Sequence, residues 1–130
     1  MKVLVTGDRA WTDYKTIERE LKKLPPLSIV IHGGCRGADS LAGLAARRLH
    51  LHVRLYAAKW TEQGLAGGPI RNALMLKQEH PDEQGVFIDK VLAFHDDISN
   101  SRGTKDMITK ATDAGLTIEL FTSSGVTHGR

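Results

Sequence analysis

Five short runs of apolar, largely β-branched residues alternate along this chain with segments whose apolar residues recur every three or four positions. No other feature constrains the fold as strongly. Short strands separated by helical crossovers predict a parallel sheet covered by helices. Strands are expected at residues 2–5, 28–31, 52–56, 90–94 and 116–121. Ile17, Leu21 and Leu24 mark one face of a helix over 14–24, which Pro25 and Pro26 stop. Leu41, Ala45 and Leu49 mark a helical face over 39–49. A third helix starts at Pro69, a residue suited to the first helical turn, carries Ile70, Ala73 and Leu74, and ends before Pro81. A fourth spans 104–114, with Gly115 as its stop, and residues 59–68 read as a polar loop. The expectation is an α/β, Rossmann-like open parallel sheet of about five strands with helices on both faces. It occupies residues 1–121 as one domain, followed by a polar, frayed tail over 122–130.

Composition narrows the function classes. A chain of 130 residues that is 41% hydrophobic can fill one core without staples. Its one cysteine, Cys35, excludes an intrachain disulfide and suits a reducing cytoplasm, the expected location. The first ten residues read as a strand and turn rather than a signal peptide, and no apolar run is long enough to span a bilayer. The net charge of +3 comes from 18 Lys and Arg against 15 Asp and Glu, spread along the chain. Nucleic-acid binders cluster their positive charge, so nucleic acid is not the favoured partner.

The unusual residues gather where an open α/β sheet binds ligands, beyond the carboxyl ends of its strands. Gly7, Asp8, Arg9 and Trp11 follow the first strand, and the 33–39 segment GGCRGAD follows the second. Lys59 and Trp60, then Gly64, Gly67, Gly68, Arg71 and Asn72, follow the third. His95, Asp96 and Asp97, then Ser101, Arg102, Gly103 and Thr104, follow the fourth. The opposite ends hold connectors such as Pro25–Pro26, His50 and Gly115.

Gly33, Gly34 and Gly37 would let backbone amides approach an anion, with a helix N-terminus immediately behind and Arg36 to add charge. The same glycines would equally serve a tight strand-to-helix turn. Asp39 reads either as a first-turn acid or as an acceptor for ligand hydroxyls. Ser101, Gly103 and Thr104 form a second candidate anion or ribose contact, with plain capping by Thr104 as the alternative. Arg71 and Asn72 open a helix after a glycine-rich loop, and Trp60 or Trp11 would stack on a base or pack in the core. The G-G-x-x-G spacing departs from the dinucleotide fingerprint, the acid expected about 20 residues onward is missing, and no Gly-Lys pair supports a Walker loop. Cys35 has no partner base, and the six histidines lack zinc-site spacing, so no metal and no cofactor is expected.

Four blocks in order carry a family resemblance: GDR near the start, HGGCRGADSLA, KW followed by AGGPIRNALM, and SRGTKDM. Together they resemble the YspA, cpYpsA-related branch of the SLOG (SMF/DprA–LOG) superfamily, over nearly the whole chain. The resemblance implies a Rossmann-like fold that binds or senses a nucleotide or nucleotide-derived phosphate ligand. It leaves two alternatives open. One is a phosphoribohydrolase of the LONELY GUY type, which releases a base from a nucleotide. The other is a single-stranded DNA binder of the DprA type. The phosphoribohydrolase signatures are an Arg with Met four positions on, matched by Arg71 and Met75, and a P-G-G-x-G-T-x-x-E block. Met107 stands where that block has its catalytic Glu, and a thioether cannot do a carboxylate's work. Asp106 is adjacent, which leaves Arg71 and Asp106 as the candidate catalytic residues. Asp8 stands where the family commonly has Ser. The partner implied is a small nucleotide-derived molecule, with a homo-oligomer left open.

Overall fold

The computed structural model describes residues 1–82, 84–123 and 127–129, with side chains through residue 123. The elements run β1 (Lys2–Gly7), α1 (Tyr14–Lys22), β2 (Ile29–His32), α2 (Ala38–Arg48), β3 (His52–Leu55), α3 (Trp60–Gln63), α4 (Gly67–Glu79), β4 (Lys90–Phe94), α5 (Gly103–Asp113), β5 (Ile118–Phe121) and β6 (Thr127–Gly129). Tight 3-10 turns at Gly64–Ala66 and Ile98–Asn100 lead into α4 and α5.

The sheet order is β3-β2-β1-β4-β5-β6. The first five strands in that order are parallel, as the alternation predicts, with Leu4 of β1 opposite Ile31 of β2 on one side and Val91 of β4 on the other. Thr127–Gly129, expected as part of a frayed tail, instead pairs antiparallel with β5.

The pleat sorts side chains by alternate position. Val3 and Val5, with Val30, Leu92, Phe94 and Phe121, face α1 and α2, where Ile17, Leu21 and the alanines of α2 cover them. Leu4, Ile31, Val91, Ala93 and Ile118 face the other way, onto Met75, Leu76, Met107 and Ala111 of α4 and α5. Helices therefore lie on both faces. Asp13 caps α1 by accepting from the Thr16 amide at 3.2 Å, and Trp11 packs edge-on against Phe94, which stacks on Phe121.

Two local expectations change. Trp60–Gln63 is a short helix within the segment read as a polar loop. On α4 the buried face is not Ile70, Ala73 and Leu74, which are exposed, but Arg71, Asn72, Met75, Leu76 and Glu79. Buried polar groups on that face are tolerated because each has partners. Glu79 accepts from Tyr56 Oη at 2.7 Å and pairs with Lys2 at 2.9 Å and Arg54 at 2.6 Å. Lys2 also reaches Asp82 at 3.0 Å. This network ties β1, β3 and the end of α4 together beneath the sheet's amino edge. Among the described residues, no helix is long and apolar enough to cross a membrane.

Candidate functional site

In this strand order the chain leaves β1 toward β2 on one side and returns as β4 on the other. The crevice at such a reversal is where open α/β sheets hold ligands. A cleft of about 670 Å³ opens there, within the usual range of about 300–1,000 Å³ for small-molecule sites. Gly7, Asp8 and Arg9 at the end of β1 and His95 after β4 form its floor. Cys35 and Asp39 bound one side, with Trp60, Leu65, Arg71 and Asn72 above them. The start of α5, from Asn100 to Thr104, closes the other. Of the residues singled out from sequence, Gly7, Arg9, Asp39, Trp60, Arg71, Asn72, Ser101, Gly103 and Thr104 meet at this one opening.

Gly33, Gly34, Arg36 and Gly37 do not line it. Their loop sits at the same end of the sheet, but three of its amides are already engaged. The Gly33 and Cys35 N–H groups donate to one Asp39 oxygen, at 3.1 and 3.3 Å, and the Gly34 N–H donates to His32 Nδ1 at 3.0 Å. The Ala38 amide at the start of α2 donates to the Asp8 carbonyl at 3.0 Å. A carboxylate of the chain itself thus occupies the position that an anion-cradling loop offers a phosphate. The glycines answer to packing. A Cβ on Gly33 would overlap the Arg71 guanidinium, and one on Gly37 the Asp8 and Arg9 carbonyls. Gly34 and Gly37 also have φ of 74° and 73°, a region that side chains disfavour. Arg36 is exposed outside the cleft.

Arg71 is buried and largely committed. Its Nη1 donates to the Gly33 carbonyl at 2.6 Å, its Nε to Asn72 Oδ1 at 2.9 Å, and its Nη2 lies 3.7 Å from Cys35 Sγ. Asn72 in turn donates from Nδ2 to the Gly103 carbonyl at 3.3 Å and to Asp106 Oδ2 at 3.0 Å. Arg71 and Asn72 therefore form a strut from the 33–35 loop across to α5. Asp106 is held by Asn72 and Lys110 and is not part of the cleft lining. Met107 is fully buried between α4 and α5. The two carboxylates that line the cleft among the described residues are Asp8 and Asp39.

The start of α5 differs from the 33–37 loop. The Thr104 amide is capped by Ser101 Oγ at 3.1 Å, but a Cβ on Gly103 would meet nothing within 4 Å. This glycine is required by no neighbour and has no positive φ; it is exposed and lines the cleft, with its carbonyl taken by Asn72. Across the opening, Arg9 lies over the half-exposed Trp60 ring at 5.2 Å, a cation–π contact that leaves an aromatic plane at the rim. Trp11, the other aromatic candidate, is core.

Burial pushes the Asp39 carboxyl up to about 6, against the Cys35 amide, the Arg71 charge, the Gly33 amide and the Arg9 charge, which pull it down. Burial and the charges of Arg47 and Arg71 push His32 down to about 4, which keeps it a neutral acceptor for the Gly34 amide. Asp8, His95 and Arg102, placed by sequence at this end of the sheet but not among the candidate ligand contacts, also line the cleft, as does Leu65. Position in the loops after the first and fourth strands was the available signal for Asp8, His95 and Arg102, while Leu65 carried none. Among the described residues, no group of three or more His, Cys, Asp or Glu could hold a metal ion.

A model of the YspA, cpYpsA-related SLOG family matches residues 1–62. A Mycobacterium phage D29 protein named Gene 61 protein is 31% identical over 129 residues, covering 92% of this chain and 95% of that protein. No solved structure gives a significant match.

Proposed function

This chain belongs to the YspA, cpYpsA-related SLOG family, and from that premise we propose that its cleft binds a nucleotide or nucleotide-derived ligand whose phosphate rests on the start of α5. The observation that carries this reading is Gly103. It leaves the first turn of α5 uncovered, beside the Ser101 hydroxyl, at the helix end whose free amides and dipole favour an anion. Arg102, exposed on the cleft wall, adds positive charge. A base would lie against Trp60 on the opposite rim. The site is a binder rather than a phosphoribohydrolase, because Met107 is sealed in the core and Asp106 is tied to Asn72 and Lys110, so neither brings a carboxylate to the bond between base and sugar.

A thermal-shift panel of the four common ribonucleoside 5′-monophosphates and ADP-ribose tests the reading. A ligand at a hundred times its Kd adds about 2.7 kcal/mol to stability, a rise of roughly 10 °C for a domain of this size. Gly103→Val should remove the shift and leave the unliganded melting point nearly unchanged, since a Cβ there meets nothing within 4 Å and the residue is exposed. No free base should form at about 1 per second or faster, the rate of an ordinary enzyme. A Gly103→Val protein that binds as tightly as wild type, or a panel without a binder, overturns the proposal.

A further inference from the structure

The floor of the cleft carries a donor and an acceptor that face each other without meeting. His95 is nearly buried, and its Nδ1 accepts from the Asp97 amide at 2.9 Å. An Nδ1 that accepts has no proton, so the ring N–H is at Nε2. That Nε2 stands 4.0 Å from Asp8 Oδ2, beyond hydrogen-bond reach. Asp8 Oδ1 is spent on the Ala10 amide at 2.9 Å, and Oδ2 accepts no hydrogen bond among the described residues. Both groups line the cleft.

A single oxygen can satisfy both. Placed about 2.8 Å from Nε2 and from Oδ2, an ordinary O-centred hydrogen-bond length, it would subtend roughly 90° between them across the 4.0 Å gap. The oxygen must accept from Nε2–H and donate to the carboxylate. A hydroxyl does both, whereas a phosphate oxygen has no proton to give and would meet the Asp8 charge. Asp8 thus also keeps an anion away from the end of β1, which agrees with a phosphate lodged at α5 instead.

We propose that Asp8 and His95 form a hydroxyl-reading pair that selects ligands bearing a free sugar hydroxyl. His95 donates to the hydroxyl oxygen and Asp8 accepts its proton. This rests on the nucleotide reading of the cleft and adds to it which part of the ligand confers selectivity. Loss of the hydroxyl leaves two desolvated polar groups without partners, which is why such sites reject the analogue that lacks it.

The test is isothermal titration of the four ribonucleoside 5′-monophosphates and their 2′,3′-dideoxy counterparts. Wild type should bind the best ribonucleotide about tenfold or more tighter than its dideoxy form. Asp8→Asn keeps an acceptor for the Ala10 amide, and His95→Asn keeps one for the Asp97 amide. In each variant the ribonucleotide and its dideoxy form should bind within about threefold of each other. Equal binding of both forms by wild type, with Gly103→Val still abolishing binding, overturns the pair and leaves the nucleotide reading intact. Variants that retain full discrimination also overturn it. If no monophosphate binds, the pair falls, and the nucleotide reading falls with it unless ADP-ribose binds.

Discussion

Replacing Asp39 with asparagine should stabilise the protein at neutral pH, although the change removes a charge beside a buried arginine. Asp39 is buried, and one of its oxygens takes both the Gly33 and Cys35 amides, a role that an amide carbonyl oxygen fills equally well. The new NH2 group would point toward the cleft that Asp39 lines. What the substitution removes is the cost of holding an ionised carboxyl in this place. Burial, partly offset by the two amides and by Arg71 and Arg9, raises the carboxyl from its ordinary 3.8 to about 6. At about 1.4 kcal/mol per pH unit, that rise is worth about 3 kcal/mol. The sign follows from linkage. Between 3.8 and about 6 the folded protein binds more of a proton than the unfolded chain, so this stabilisation is complete below 3.8 and lost as pH rises through about 6. In the Asp39→Asn variant the side chain never ionises. Its advantage should therefore be near zero at about pH 4 and approach about 3 kcal/mol at pH 7.5, or roughly 10 °C in Tm. Melting both proteins by circular dichroism across that range reads the difference directly and cancels every other titrating group. A variant that melts below wild type at pH 7.5, or a difference that does not shrink on acidification, would refute the assignment of Asp39 as an ionised filler of the 33–35 loop.

Other perturbations follow from the same geometry. Burial works against ionisation of Glu79, but hydrogen bonds from Tyr56 and Lys2 and the charges of Lys2 and Arg54 hold its carboxyl below the ordinary range. Glu79→Ala should then cost about 3 kcal/mol in urea unfolding, because Lys2 stays buried with only part of its partners. His32, held down to about 4, should show no ring titration by NMR between about pH 5.5 and 8. Its contribution to stability is full above 6.5 and lost as pH falls toward about 4, the reverse of Asp39. Gly37→Ala should destabilise by about 2 kcal/mol or more, read from Tm, since the added methyl meets the Asp8 and Arg9 carbonyls at a positive φ.

The parallel sheet was legible because periods of 2 and 3.6 alternate with little interference, and the cleft because the odd residues all follow strands. The α5 segment was legible in position, but the capping hydroxyl is that of Ser101, which accepts from the Thr104 amide, and not that of Thr104. What escaped had physical reasons. Whether the amides of 33–35 face a ligand or Asp39 depends on the turn's dihedrals, which glycines leave free. The buried face of α4 inverts hydropathy, as Arg71, Asn72 and Glu79 go inward on specific partners while Ile70 and Leu74 stay out. Trp60–Gln63 is too short to show a period, and Thr127–Gly129 gains strand structure only by pairing with β5.

The reversal between β1 and β4 divides authorship of the cleft. The 1–62 stretch shared with the family builds one bank, from the ends of β1 and β2 to Trp60, and there the amides of 33–35 are held by the side chains of Asp39 and His32. The other bank, from Leu65 to Thr104, comes from a separate length of chain and carries the exposed Gly103, with open space where a side chain would stand. The two are joined beneath the cleft by the pairing of β1 with β4, and at its side by Arg71, which donates to the Gly33 carbonyl. Substitutions at the Gly103 end of the second bank, away from Arg71, can retune the guest without unsettling the first, so two proteins alike in their opening half can differ in what they hold.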